Sequence, residues 1–239
     1  MTKLSVNINK IATLRNARGG KYPDLLKAAD DIQRFGAEGI TVHPRPDGRH
    51  IKRSDVYELK EIIYTEFNIE GYPSRDFLDL IREIKPTQAT LVPDPPDVLT
   101  SNAGWATKEH KSFLTECIAE LHAYNVRVSL FVAPERDIIY HAKEANADRV
   151  ELYTEDYARQ FTVDPVMAIK PYADAGKYAS EIGIGLNAGH DLNLQNLNYF
   201  FRNIPSLLEV SIGHALICDA LYLGLENTVQ LYLRQLKEQ

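Results

Sequence analysis

Short apolar runs alternate with longer amphipathic segments eight times along this chain, and that alternation most constrains how it can fold. The runs at 4–9, 39–43, 67–70, 88–92, 126–132, 149–153, 184–187 and 208–211 read as strands. Between them, apolar residues recur with helical spacing. Leu25, Ala28, Ala29, Ile32 and Phe35 form one stripe, with Pro23 near the first turn and Gly36 at the end. Ser54 is placed to cap a helix carrying Val56, Leu59, Ile62 and Ile63. Ser74 opens one that stops before Pro86. Further helices carry Phe113, Leu114, Cys117, Ile118 and Leu121, and span about 134–146 and 194–203. Asp164 and Pro165 open another that Gly183 ends; Pro171 inside it predicts a kink or two pieces. One long helix is expected over 214–237.

Strand followed by helix, eight times, calls for a parallel sheet. Eight units in 239 residues favour a closed α/β (βα)8 TIM barrel, one catalytic domain over 1–239, above an open doubly wound sheet. A faint internal repeat agrees. Gly36-Ala37-Glu38-Gly39-Ile40-Thr41-Val42 resembles Asn146-Ala147-Asp148-Arg149-Val150-Glu151-Leu152, each passing from a helix end into a strand.

A net charge of −6 argues against a broad nucleic-acid or anionic-membrane footprint. The two cysteines, Cys117 and Cys218, make neither a disulfide framework nor a thiolate metal site. Cys117 reads as a small core residue. The N-terminus has no signal-like apolar stretch, and no run has the length to span a bilayer. The expectation is a cytoplasmic protein without a bound metal.

In such a barrel, chemistry sits at the carboxyl ends of the strands. Those positions hold Asn7 and Asn9, His43, Glu70, Asn187 and His190, then Gly213 and His214, with Glu151 inside strand six. Singly, His43 reads as readily as a cap or core histidine, and Glu70 as a solvated strand end. Glu151 is harder to dismiss, because a carboxylate between Val150 and Leu152 must pair or pay for desolvation. His110, His122 and His141 fall on helices and read as surface residues.

Ile212-Gly213-His214-Ala215 leads into the last helix and suits a phosphate at a helix N-terminus. Arg15, Arg18, Arg45, Arg49 and His50 supply cations after the first two strands, with Arg49 expected to be merely solvated. The segment 93–107, rich in Pro, Asn and Gly and holding Trp105, reads as a lid or binding loop. These pieces point to acid–base chemistry on phosphorylated substrates. A sugar-phosphate isomerase or aldolase is an alternative, although no lysine stands at a strand end and Lys10 reads as a loop residue. A non-catalytic phosphosugar-binding barrel is another.

Asn7-Ile8-Asn9-Lys10-Ile11-Ala12-Thr13-Leu14-Arg15-Asn16-Ala17-Arg18-Gly19 resembles the N-terminal signature of the pyridoxine 5′-phosphate synthase family of vitamin B6 biosynthesis. Gly39-Ile40-Thr41-Val42-His43-Pro44-Arg45 with Arg49-His50-Ile51, Asn187-Ala188-Gly189-His190, and Ile212-Gly213-His214-Ala215 resemble its later motifs, so the likeness spans essentially the whole chain. The resemblance implies a barrel with additional helices, a homo-octamer, and a transferase needing no metal or organic cofactor. It implies condensation of 3-amino-2-oxopropyl phosphate with 1-deoxy-D-xylulose 5-phosphate to give pyridoxine 5′-phosphate, inorganic phosphate and water.

It further implies proton acceptors at His43 and Glu70, a proton donor at His190 and transition-state stabilisation by Glu151. The amino-ketone phosphate falls to Asn7, Arg18, Asp191, Gly213 and His214. The deoxyxylulose phosphate falls to Arg45, His50 and Thr100, with Asn9 and Lys10 nearby. The chain departs from the family at Asn9-Lys10, where many members have Asp-His, and at Asp191, where many have Gly. A backbone contact is expected at 191, since a carboxylate repels phosphate.

Overall fold

The computed structural model describes residues 2–93 and 104–237. β1 (Lys3–Asn7) leads through α1 (Asn9–Asn16) and α2 (Leu25–Arg34) to β2 (Gly39–Val42). α3 (Arg53–Ile62), β3 (Glu66–Gly71), α4 (Arg75–Ile84) and β4 (Gln88–Leu91) follow. Next come α5 (Lys111–His122), β5 (Arg127–Val132), α6 (Arg136–Glu144) and β6 (Arg149–Tyr153). α7 (Glu155–Phe161) and α8 (Pro165–Ile182) precede β7 (Gly185–His190); α9 (Leu197–Asn203) precedes β8 (Leu207–Ile212). α10 (His214–Leu223) and α11 (Leu225–Gln235) finish the described chain. The eight strands pair in chain order, all parallel, and β8 closes on β1. The (βα)8 barrel is therefore the fold. No helix among the described residues is long and apolar enough to cross a membrane.

Period-2 alternation decides what fills the barrel. Leu4, Val6, Ile40, Val42, Ile69, Val128, Leu130, Leu152 and Val210 are buried without exposure and join the core shared with the helices. The intervening residues are mostly polar, and those of β1 to β4 bond to their neighbours on the adjacent strand. Ser5 Oγ lies 2.7 Å from Thr41 Oγ1, Asn68 Nδ2 donates to Thr41 Oγ1 at 3.3 Å, and Thr90 Oγ1 donates to Asn68 Oδ1 at 3.0 Å. At the amino-terminal end, Glu66 pairs with both Lys3 and Arg127, and Arg149 Nη1 lies 3.3 Å from Glu209 Oε2. β3 shows the rule: Glu66, Asn68 and Glu70 point inward, Phe67 and Ile69 outward. A carboxylate at position 70 is thus carried to the barrel mouth.

Asp24, Ser74 and Asp164 cap α2, α4 and α8 by accepting backbone N–H groups. Several local expectations are corrected. Ser54 lies inside α3; Lys52 is the N-cap, and its N–H donates to Asp55 Oδ2 at 2.7 Å, so the N3 carboxylate does the capping. Pro171 does not split its helix. α8 runs unbroken, because its buried Ala168, Ile169, Tyr172, Ala175 and Ala179 offset the lost hydrogen bond. The last helix breaks at Gly224, which has φ +78°. Strand seven continues past Asn187 to His190. Its Gly and Asn residues have low strand propensity, but pairing with β6 and β8 on both sides holds them extended. Asn187 accordingly sits inside the barrel, accepting from Arg149 Nη1 at 3.2 Å, not at the mouth.

Candidate active site

A cavity of about 600 Å³ opens at the carboxyl ends of the strands. Asn7, Asn9 and Lys10 line it from β1 and α1, then His43, Arg45, Arg49 and His50 from the segment after β2, and Glu70 from β3. Tyr153, Glu155, His190, Asp191, Gly213 and His214 complete it from β6, β7 and β8. Most of the sequence-derived residues therefore meet in one place. Glu151 lies in the barrel beside His190, fully buried. Arg18 is exposed beyond α1 and does not line the cavity. Thr100, and with it most of the expected lid, lies outside the described residues. Trp105, at the far end of that segment, is core: its Nε1 donates to Leu91 O at 3.0 Å and it stacks on Tyr72.

Two imidazole–carboxyl pairs flank the barrel axis. His43 Nδ1 lies 3.8 Å from Glu70 Oε2, and His190 Nδ1 lies 3.8 Å from Glu151 Oε1. Glu70 is 2% exposed; Asn7 Nδ2 donates to its Oε2 at 3.3 Å, and its Oε1 has no hydrogen-bond partner among the described residues. Burial pushes its carboxyl up to about 8, against a downward pull from Arg45. Burial, together with the Glu70 and Glu209 charges, holds Glu151 well above the ordinary carboxylate range. The imidazoles move the other way. Burial and the Arg45 charge lower His43 well below its usual value and take His190 and His50 to about 4. This mouth holds neutral imidazoles beside carboxyls reluctant to ionise.

The backbone is built to this arrangement. His190 has φ +82°, a left-handed conformation unusual for a histidine, and its ring packs on Phe131 at 4.8 Å between centroids. A Cβ at Gly189 would fall 2.6 Å from Glu151 Oε1 and from Ser211 O, so only glycine lets β7 pass the buried carboxyl. A Cβ at Gly213 would fall 3.0 Å from that of Asn7, where β8 hands over to α10. The first-turn N–H groups of α10 make this end of the cavity suited to an anion.

Asn9 holds the β2 end in place. Its Oδ1 accepts the His43 backbone N–H at 2.9 Å, while Asn7 Oδ1 accepts the Asn9 N–H at 3.0 Å. A carboxylate would accept the same bond, which explains why Asn can stand there. Lys10 belongs to α1 rather than to a loop. Arg15 is not a phosphate ligand. It is buried, and its guanidinium grips Asp55 at 2.7 and 2.8 Å. Arg49 pairs with Asp47 at 2.6 Å yet also lines the cavity, beyond the solvated role expected of it. Tyr153 and Glu155 belong to no motif in the sequence, although their place at the end of strand six marks them by the same strand-end rule. The described residues hold no group of three or more His, Cys, Asp or Glu able to bind a metal ion.

Comparison with known proteins adds the decisive observation. The family described as "Pyridoxal phosphate biosynthesis protein PdxJ" matches residues 4–238. The chain belongs to the PdxJ family. A pyridoxine 5′-phosphate synthase of Cytophaga hutchinsonii is 62% identical over 238 residues, covering 100% of both chains. One of Bacteroides fragilis is 62% identical over 232 residues, 97% of this chain and 98% of its own. Among solved structures, a tryptophan synthase from M. tuberculosis aligns with a TM-score of 0.67 at 13% identity, covering 100% of this chain and 93% of its own. The thiamine phosphate pyrophosphorylase of Pyrococcus furiosus gives 0.62 at 11%, covering 98% and 95%. At such identities these two speak for the barrel alone. The PdxJ match supplies the biosynthetic setting, and the mouth supplies the acid–base groups.

Proposed function

We propose that this PdxJ-family chain is a pyridoxine 5′-phosphate synthase. It condenses 3-amino-2-oxopropyl phosphate with 1-deoxy-D-xylulose 5-phosphate, releasing pyridoxine 5′-phosphate, inorganic phosphate and water. The observation that carries this reading is full-length 62% identity to a synthase of that name, joined to two imidazole–carboxyl pairs at one barrel mouth. Imine formation, loss of water, elimination of phosphate and ring closure each move protons, and several acid–base groups around one cavity can move them.

In this reading His43 accepts protons as a neutral imidazole and Glu70 accepts them from its ionised fraction, His190 donates, and Glu151 stabilises charge in the transition state. The low proton affinity that burial and the Arg45 charge give His190 fits a donor armed by its substrates. Two phosphate dianions brought to the mouth raise its affinity and load it. The α10 N-terminus with Gly213 and His214 takes one phosphate; Arg45 and His50, with Thr100, take the other. The whole chain acts as one catalytic unit, in the cytoplasm. The reading extends to a homo-octamer, supported by the exposed Leu221, Tyr222 and Leu223 on α10. There the exposed Arg18 serves a neighbour's cavity.

The test is turnover of both substrates, followed by absorbance of the product. His43→Ala is expected to lower kcat on the order of 10²-fold or more while the barrel still melts cooperatively. Folded protein that binds both substrates and makes no product sinks the assignment. Because Lys10 lines the cavity, trapping of a substrate on it by borohydride would redirect the reading to Schiff-base chemistry.

A further inference from the structure

The cavity is divided by charge. Lys10, Arg45 and Arg49 stand on the α1 and β2 side, and Glu155 and Asp191 on the β6 and β7 side. Two features give the acidic side a purpose. The backbone of Asp191 is already engaged: its N–H donates to Thr154 Oγ1 at 3.2 Å, and its carbonyl accepts from Asn196 Nδ2 at 3.2 Å. What residue 191 offers the cavity is therefore its carboxylate. The same cavity is lined by Glu70, 2% exposed, with Oε1 unpartnered among the described residues, so this is a site built to receive a polar ligand.

A carboxylate repels a phosphate, so its place beside Gly213 and His214 asks for a cation on the molecule bound there. The amino-ketone phosphate carries one. Its ammonium is separated from its phosphate ester by three carbons, and deoxyxylulose phosphate has no counterpart to it. Glu155 adds a second negative charge and is fixed in place by a hydrogen bond from the Tyr153 hydroxyl. Asp191 is close enough to both Glu155 and His214 to feel their charges.

We propose that the Asp191 carboxylate, backed by Glu155, docks the ammonium of the amino-ketone phosphate and thereby sets which substrate enters this half of the cavity. The proposal rests on the synthase reading and deepens it.

The experiment compares wild type, Asp191→Asn and Glu155→Gln in steady-state kinetics with each substrate varied in turn. It also measures inhibition by 3-aminopropyl phosphate and by propyl phosphate, which differ only in the ammonium. Wild type is expected to prefer the amine-bearing inhibitor by about tenfold or more. Asp191→Asn should abolish that preference and raise KM for the amino-ketone phosphate by about tenfold, leaving KM for deoxyxylulose phosphate within about twofold. Glu155→Gln should shift both readouts the same way by less. Normal turnover with the ammonium preference intact in Asp191→Asn overturns the docking role alone. Wild type that forms no product overturns the synthase reading, and this inference with it.

Discussion

Glu70 ties fold and chemistry together at the scale of one side chain. Its carboxyl titrates near about 8 when folded and near the ordinary value of 4.5 when unfolded. Between those values the folded state holds a proton that the unfolded state releases. The contribution of Glu70 to stability is thus fully present below about 4.5 and lost as pH rises through about 8. Glu70→Gln removes that slope. The variant should melt at a higher temperature than wild type at pH 8, converge with it near pH 4.5, and lose turnover on the order of 10²–10⁴-fold. A melting difference independent of pH would show that Glu70 is not held protonated. The residue itself was legible, since a strand-end carboxylate in a barrel is a simple positional inference. Its pairing with His43 was not, because that depends on the β2–β3 register, which sets Val42 beside Ile69 and so His43 beside Glu70.

Among the elements, strands are easier to read than short helices. β3 carries its inward set at every second residue, so the register that places Glu70 follows from the alternation of Phe67 and Ile69 with polar neighbours. α1 and α7 leave little trace in the sequence because eight and seven residues hold too few apolar positions to show a helical period. Arg15 reads as a phosphate cation for the same reason. Once α1 forms, Arg15 turns inward to grip Asp55 of α3, donates to His50 O at 3.2 Å, and so braces the loop that carries His50. Breaking a buried pair leaves the partner charge stranded. Arg15→Met should cost about 3 kcal/mol in denaturant unfolding and raise KM for deoxyxylulose phosphate. Arg15→Lys should recover little of either loss, since a lysine cannot make the two-pronged contact with Asp55. Full stability in Arg15→Met would show that α1 is held without this brace.

For the whole molecule, the notable feature is a cationic cavity wall on a chain of net charge −6. Composition reports only the sum; the barrel decides where Lys10, Arg45 and Arg49 gather. Burial first, then the Arg45 charge, keeps His43, His50 and His190 neutral, with folded proton affinities below the unfolded value of 6.5. Stability from these groups is complete above about 6.5 and is lost as pH falls through about 4. A dianion in the cavity reverses the cause, drawing protons onto the same rings. Sulfate suits the test because it does not titrate in this window. It should raise the melting temperature at every pH by mass action, and raise it more near pH 5.5 than near pH 8, where ring protonation no longer contributes. Calorimetry in two buffers of different ionisation enthalpy should show proton uptake on sulfate binding at about pH 5.5 and none at about pH 8. Equal thermal gains at both values, without proton uptake, would separate the histidines from the anion site. That result would also remove the ground for a substrate-loaded His190 as proton donor.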